Sequence, residues 1–360
     1  MIRSEAGFTL AEMLVATALM LIVSGAVFAI VAPAQDASMA QPEAMDMQQR
    51  LRVGSDALFQ DLVAAGGGLD AGPSAGSLSA FLPPIVPRKM GLQNGDAAAV
   101  VRSDAVTILS VPNTHAQTAL SAALAPSSSP SMTVSAAAGC ALGQPLCGFV
   151  QGMTVLVFDG AGHFDTFALT QVQLPAARLQ HHASDASYGY ASGAAVSEVA
   201  THTYYFDEVN AQLRHSDGYQ TDAPVIDNVV GLTFSYYGDP QSPTLPKPPL
   251  GVANCLYDAA GHLQPLPTLS TDGSSLAPLP LSILNDGPWC GSGTSQFDAD
   301  LLRIRKVRVT LRVQVGPAAL RGVSAVDFAR PGTSRGVRYV PDYTMMFDVS
   351  PRNLNPGHGT

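Results

Sequence analysis

The sequence predicts an α+β fold, in which a long N-terminal helix packs on an antiparallel, β-rich globular domain. An apolar run without any charged residue lies between Glu12 and Asp36 and is long enough for a membrane-spanning helix. From Glu43 to Ala65 apolar residues recur three or four positions apart, which is typical of an amphipathic helix. Beyond residue 68, short segments rich in β-branched and aromatic residues predict strands. One long helix without alternation of strands and helices indicates the α+β class.

The composition supports a folded acidic protein. The chain has 360 residues, of which 46% are hydrophobic and 13% are charged, so it can bury a sizeable core. The formal net charge of -9 disfavours nucleic acid as a partner, because phosphate binding would require a basic patch that works against the global field.

The apolar run at the N-terminus has an alternative interpretation as a cleavable secretory signal. Ala32-Pro33-Ala34 offers a small-residue cleavage site of the A-x-A type. However, secretory signals have apolar regions of about 7–15 residues, and this run is longer. It also carries Glu12 in its first turns, where an unpaired carboxylate costs roughly 2.5–3.5 kcal/mol on insertion scales. A membrane-spanning helix explains the length, but a further explanation is needed for Glu12.

The stretch MIRSEAG followed by FTLAEMLVA resembles the class III signal of type IV pilins and type II secretion pseudopilins. By this resemblance, prepilin peptidase cuts between Gly7 and Phe8 and methylates the new N-terminus at Phe8. Glu12 then pairs with the N-terminus of a neighbouring subunit, so that an intramembrane charge serves assembly. The implied partners are prepilin peptidase, other minor pilins or pseudopilins and the inner-membrane assembly platform.

The resemblance implies four segments: a leader at residues 1–7, a transmembrane helix at 8–32, an amphipathic continuation at 33–68 and a globular domain at 69–360. The amphipathic stripe consists of Met47, Leu51, Leu58, Leu62 and Ala65, with a step through Gly54. Pro33 and Pro42 predict kinks or a short break, and Gly66-Gly67-Gly68 predicts the end of the helix.

The β-rich part contains seven segments with strand character, which are 104–112, 153–158, 163–172, 201–206, 225–237, 305–315 and 343–349. Turn residues at 159–162 and 207–212 predict two hairpins. Segments rich in Ala, Ser, Gly and Pro predict loops at 65–84, 120–139, 175–197 and 239–288.

The four cysteines predict disulfides in an oxidising compartment. Their spacing does not match the paired CxxC spacing of structural zinc sites. Three pairings are possible. We favour local closure, with Cys140 bonded to Cys147 and Cys255 bonded to Cys290.

The order of the β-rich segments is similar to that of PilW-type minor pilins and J-type pseudopilins, although the Pro-rich insertion at 239–290 has no counterpart. This resemblance implies a low-copy subunit that primes or caps a filament. It also implies a single-pass inner-membrane protein whose globular domain lies in the periplasm, before incorporation into a pilus or pseudopilus.

The residues predict no catalytic site, no metal site and no cofactor. His181 and His182 lie in a Ser/Ala/Gly-rich loop without nearby carboxylates at the spacing of a metal site, and His163, His202, His215 and His262 are isolated beside predicted strands or turns. Asp159 and Asp165 flank a glycine turn without the pattern of a calcium loop. Motifs for a serine nucleophile or a phosphate-binding loop are absent from the sequence, so we do not expect an enzyme.

One predicted strand is basic on one face. Its odd positions from Val307 to Val315 are apolar, whereas Arg308 and Arg312 lie on the even face, with Lys306 just before. We interpret this as a solvated strand face; docking of an acidic pilin neighbour or of DNA is the alternative. The expected function is a minor pilin or pseudopilin. The alternative is a membrane-anchored periplasmic binding protein or adhesin that uses the loops of its β domain.

Overall fold

The computed structural model describes residues 9–68, 82–91, 95–112, 116–126, 129–159, 163–183, 185–218, 221–243, 245, 247–251, 253–271, 273, 275–291, 296–317, 320–321 and 340–354. The chain divides into two compact units, residues 1–50 with 314–343, and residues 51–313 with 344–360. The fold is α+β, as the sequence predicts.

The helix α1 extends from Leu10 to Ala64. It continues through Pro33 and Pro42 without the short break that was one of the two predicted outcomes, and kinks at these prolines stay a prediction. A proline removes one hydrogen bond of the helix, but alanines at 32, 34 and 40 have the highest helix propensity and support continuation. The expected end at the three glycines is correct. Gly66 adopts a φ of 71°, a left-handed conformation that a residue with a side chain adopts less readily. Its amide donates to the Leu109 carbonyl.

The strands are β1 Ile85–Val86, β2 Ala105–Ser110, β3 Gln117–Ala119, β4 Ser131–Thr133, β5 Thr154–Phe158, β6 Phe164–Ala168, β7 Gln171–Gln173, β8 Arg178–Gln180, β9 Ala195–Glu198, β10 Ala200–Asp207, β11 Gln212–Ser216, β12 Asp222–Asp227, β13 Val229–Gly238, β14 Ala277–Leu279, β15 Trp289–Cys290, β16 Phe297–Asp298, β17 Ile304–Val313 and β18 Tyr343–Val349. Short 3-10 helices occur at Leu174–Ala176, Ile283–Asn285, Ala299–Arg303 and Arg352–Leu354.

These strands form antiparallel sheets. The largest has the order β1-β2-β10-β11-β12, and two others have the orders β14-β13-β17-β18 and β3-β9-β5-β6. Smaller sheets have the orders β4-β8-β7 and β15-β16. Both predicted hairpins are confirmed, as β5 pairs with β6 and β10 pairs with β11. The turn at residues 160–162 lies outside the described residues.

Two predicted strands are each divided in the structure. The segment 225–237 changes sheets at Asn228, whose φ of 58° separates β12 from β13. Asparagine tolerates this left-handed conformation better than the β-branched residues around it. The segment 163–172 is likewise divided into β6 and β7. Predicted loops at 120–139, 175–197 and 239–288 contain the short strands β4, β8, β9 and β14, which corrects those assignments.

The larger unit contains a hydrophobic cluster around β5, β6 and β9, in which Leu146, Val155, Val157 and Leu179 are fully buried. The alternation predicted for the basic strand is also confirmed, because Val307, Val309, Leu311 and Val313 on β17 are fully buried.

Candidate functional site

The first turn of α1 is closed by reciprocal hydrogen bonds between Thr9 and Glu12. The Thr9 amide and the Thr9 hydroxyl each donate to Glu12 Oε2 at 2.9 Å, and the Glu12 amide donates to Thr9 Oγ1 at 3.3 Å. This arrangement is a capping box, in which Thr9 is the N-cap and Glu12 is the third helical residue. The sequence pattern T-x-x-E at 9–12 could have predicted it. Gly7 and Phe8 lie outside the described residues.

The helix after this cap carries an apolar surface that is exposed among the described residues. Residues Leu10–Ala29 have a mean hydropathy of 2.1, and the apolar window is not buried in the structure. Large side chains such as Leu14, Ile22 and Phe28 are 63 to 72% exposed. A helix rises 1.5 Å per residue, so these 20 residues extend about 30 Å, the thickness of a hydrocarbon core. The segment is therefore long and apolar enough to cross a membrane.

The last part of α1 buries one face in the globular unit. Leu58, Leu62 and Ala65 are fully buried, and Leu51 is nearly so. Gly54 lies on the same face, and a Cβ atom there would approach Ile226 Cδ1 to 2.9 Å and Leu311 Cδ2 to 3.2 Å. The step in the predicted stripe is therefore a place where the helix backbone approaches the sheets closely.

A polar contact also holds this part of the helix. The Tyr204 hydroxyl donates to Asp61 Oδ2 at 2.7 Å and lies 3.3 Å from the Ala57 carbonyl oxygen. Burial and the Asp61 carboxylate raise the pKa of Tyr204 well above its usual range, so the phenol keeps its proton and remains a donor.

All four cysteines form disulfides in the structure. Cys140 is bonded to Cys147 and Cys255 to Cys290, which are the pairs that the sequence favours. Each bond closes part of a segment rich in small residues and proline.

The basic face of β17 pairs with an acid on the neighbouring strand. Arg308 makes two contacts with the Asp348 carboxylate, at 2.7 and 3.0 Å, and Lys306 Nζ lies 3.2 Å from Asp348 Oδ2. These hydrogen bonds hold the pKa of Asp348 at about 2. The same two cations lie over the Tyr237 ring. Local pairing of Lys306 and Arg308 supports the interpretation of a solvated strand face.

The structure corrects the view that the histidines are all isolated. His202 Nδ1 lies 3.0 Å from His215 Nε2 and 3.5 Å from Asp61 Oδ2. By contrast, the imidazoles of His163 and His262 each contact an aspartate four residues earlier in the chain, Asp159 and Asp258 respectively, and His163 also stacks on Tyr188. No short sequence motif connects Asp61 with the two histidines, so sequence spacing could not have found this cluster.

A small cleft lies beside the second disulfide. Its volume is about 250 Å³, and it is lined by His163, Tyr188, Trp289 and the Cys255–Cys290 bond. Ligand pockets of drug-sized molecules are usually about 300–1,000 Å³, so this cleft does not by itself favour a small-molecule binding protein.

Comparison with known proteins finds a match at the N-terminus. Residues 2–28 match the model of the prokaryotic N-terminal methylation motif. No curated protein and no solved structure matches the chain. The matched residues include Thr9, Glu12 and most of the exposed apolar helix. Residues 2–28 therefore carry an N-terminal methylation motif, at the place where the sequence resembles a class III signal.

Proposed function

We propose that this chain is a minor pilin or pseudopilin that takes part in the assembly, priming or capping of a type IV pilus or a type II secretion pseudopilus. The observation that carries the proposal is the methylation motif at residues 2–28, which overlaps an exposed apolar helix with the carboxylate of Glu12 in its first turn. Such a helix needs a lipid or a protein environment around its whole circumference, and a filament core supplies one after extraction from the membrane.

In this proposal, prepilin peptidase removes residues 1–7 and methylates Phe8. Gly7→Val should block the cut, because a branched side chain replaces the small residue at the scissile bond. Mass spectrometry should then find the leader attached and no chain that begins at methylated Phe8. The same substitution at Gly25, within the span, should leave cleavage unchanged. A wild-type chain that begins at Gln35 would instead support a secretory signal.

Glu12 has two roles that must be separated. The capping box uses Oε2 for both contacts from Thr9, and an ionised carboxylate has about four acceptor positions. The same side chain can therefore close its own helix and accept the ammonium group of a neighbouring Phe8. Pairing of the two charges avoids most of the penalty of burying either one alone.

A pair of substitutions distinguishes these roles. Glu12→Gln keeps a residue that supports a capping box but removes the charge, whereas Thr9→Ala removes the N-cap side chain and keeps the charge. We expect Glu12→Gln to be processed at Gly7 and retained in the membrane, yet to be lost from filaments or from the minor-pilin complex. Thr9→Ala should still be incorporated. Full incorporation of processed Glu12→Gln would show that the charge is not needed for assembly.

The minor class rests on the resemblance to PilW-type and J-type subunits. We place the globular domain in the periplasm, on a single-pass inner-membrane helix, and the two disulfides agree with that oxidising compartment. Quantitative mass spectrometry of purified filaments should find the chain at low copy number. A processed chain that is absent from filaments and from every minor-pilin complex would favour the membrane-anchored binding protein instead.

A further inference from the structure

Three side chains that can bind a metal ion meet where the end of α1 lies over the hairpin formed by β10 and β11. They are Asp61 on the helix, His202 on β10 and His215 on β11. Their candidate ligand atoms all lie within 4.8 Å of one another. All three residues are half-buried, so the group is partly desolvated and still open to solvent.

The strand register explains why the two histidines share one face. Tyr204 on β10 lies directly opposite His215 on β11. Side chains of opposed residues project to the same face, and His202, two residues before Tyr204, projects to that face as well. The contact between Tyr204 and Asp61 brings this face to the helix. The backbone therefore fixes two imidazoles and one carboxylate in one place.

The distances fit a metal ion of the size of zinc. Zinc–nitrogen bonds of about 2.0–2.1 Å place neighbouring ligands of a tetrahedral site about 3.3–3.4 Å apart. The distance from His202 Nδ1 to His215 Nε2 is 3.0 Å, and the distance from His202 Nδ1 to Asp61 Oδ2 is 3.5 Å. Small side-chain rotations would bring both distances to the tetrahedral value.

We propose that Asp61, His202 and His215 bind one divalent transition-metal ion of the zinc class, with water in the fourth position. Two imidazoles and a carboxylate are ligands that zinc commonly uses, and a site with three protein ligands keeps one open position. Tyr204 acts as a positioning residue, because its hydroxyl donates to the Asp61 carboxylate and fixes its orientation. The ion would join the end of the helix to two adjacent strands of the largest sheet.

A proton can occupy the same position as the metal. The two ring nitrogens at 3.0 Å can share a hydrogen bond if one ring donates and the other accepts. In that case the cluster is a purely structural contact and has no preference for metal ions. The two interpretations differ in whether zinc binds and in what it does to stability, which can both be measured.

The test uses the full chain, purified in detergent and depleted of metal with a chelator, and zinc chloride as the probe. Calorimetric titration should show one zinc ion per chain, and His202→Ala and His215→Ala should each weaken binding at least tenfold. His262→Ala is the matched control, because His262 contacts only Asp258, at 3.1 Å, and it should bind zinc as the wild type does. Equal zinc affinity of the wild type and His202→Ala would overturn the proposal.

A second measurement excludes effects of misfolding. Zinc should raise the thermal midpoint of the wild type, since a ligand that binds only the folded state stabilises it, and it should not raise the midpoint of Asp61→Asn, which keeps the shape of the side chain. Cobalt should give the absorption spectrum of a four-coordinate site in the wild type but not in Asp61→Asn. A zinc-independent midpoint in the folded wild type would leave the proton-sharing contact as the correct description.

Discussion

The two ends of α1 are suited to different environments, although both contain many leucines and alanines. Leu10–Ala29 exposes apolar side chains around the helix, whereas Leu51–Ala64 buries only one stripe. A helix that is apolar all round needs a non-aqueous environment, and a helix with a single apolar stripe needs one protein partner. The two parts also differ in charge: Leu10–Ala29 contains Glu12 as its one charged residue, whereas Leu51–Ala64 carries Arg52, Asp56 and Asp61 beside its buried stripe.

The largest effect is expected in Leu51–Ala64, the part of α1 that packs on the globular unit. Leu58 is fully buried, so Leu58→Ala should lower the free energy of unfolding of the globular unit by about 2–5 kcal/mol. The matched change Leu14→Ala lies on the exposed apolar part and should leave that free energy unchanged. Denaturant titration of both variants, followed by near-UV circular dichroism, measures the difference. An equal loss in the two variants would mean that the comparison is wrong.

A glycine pair sharpens the comparison. A side chain at Gly54 would meet Ile226 and Leu311, whereas a Cβ atom at Gly25 would meet nothing within 4 Å. Gly54→Val should therefore destabilise the globular unit by about 1–3 kcal/mol. Gly25→Val should not change its stability. The thermal midpoints of the two variants, measured at one detergent concentration, provide the check.

A smaller effect is expected from the polar contact of the helix. Tyr204→Phe removes the hydroxyl that donates to Asp61 and should cost about 1 kcal/mol. Tyr257 is also partly buried in the larger unit. Tyr257→Phe therefore serves as a control for the loss of a tyrosine hydroxyl. If Tyr204→Phe is as stable as the wild type, the helix is held by its apolar stripe alone.

Low pH should reduce the stability of the β domain but not of the apolar part of α1, because no charged residue lies between Glu12 and Asp36. The pKa of Asp348 is lowered to about 2 by its hydrogen bonds with Arg308 and Lys306. A lowered carboxylate pKa gives a contribution that is present above the unfolded value of about 3.9 and is lost as the pH falls through about 2. Arg308→Gln should raise the pKa of Asp348, as carboxyl-carbon NMR would show.

Sequence patterns predicted the parts of the molecule that depend on local order. The apolar segment, the stripe from Leu51 to Ala65 and the alternation along β17 follow from periodicity and agree with the structure. The division at Asn228 was missed because the surrounding valines and isoleucine read as one continuous strand, although asparagine was the visible signal for a change of backbone conformation.

Features that depend on pairing between distant segments could not be predicted in the same way. Strands β4 and β8 have three residues each and no run of β-branched or aromatic residues, and they form because β8 pairs with β4 on one side and with β7 on the other. The approach of Asp61 to His202 and His215 depends on the register of β10 with β11 and on the docking of the helix. Neither is encoded in a local pattern.

The close approach at Gly54 has a consequence for biosynthesis. Its neighbours Ile226 and Leu311 are made much later than the helix that they cover, with Leu311 roughly 250 residues behind. Synthesis proceeds at about 5–20 residues per second, so the residues that cover the apolar stripe are made tens of seconds after the stripe itself. During that interval the nascent helix exposes apolar surface on both of its halves, and only one half can be sheltered by lipid. The other half is the segment on which a chaperone would have to act.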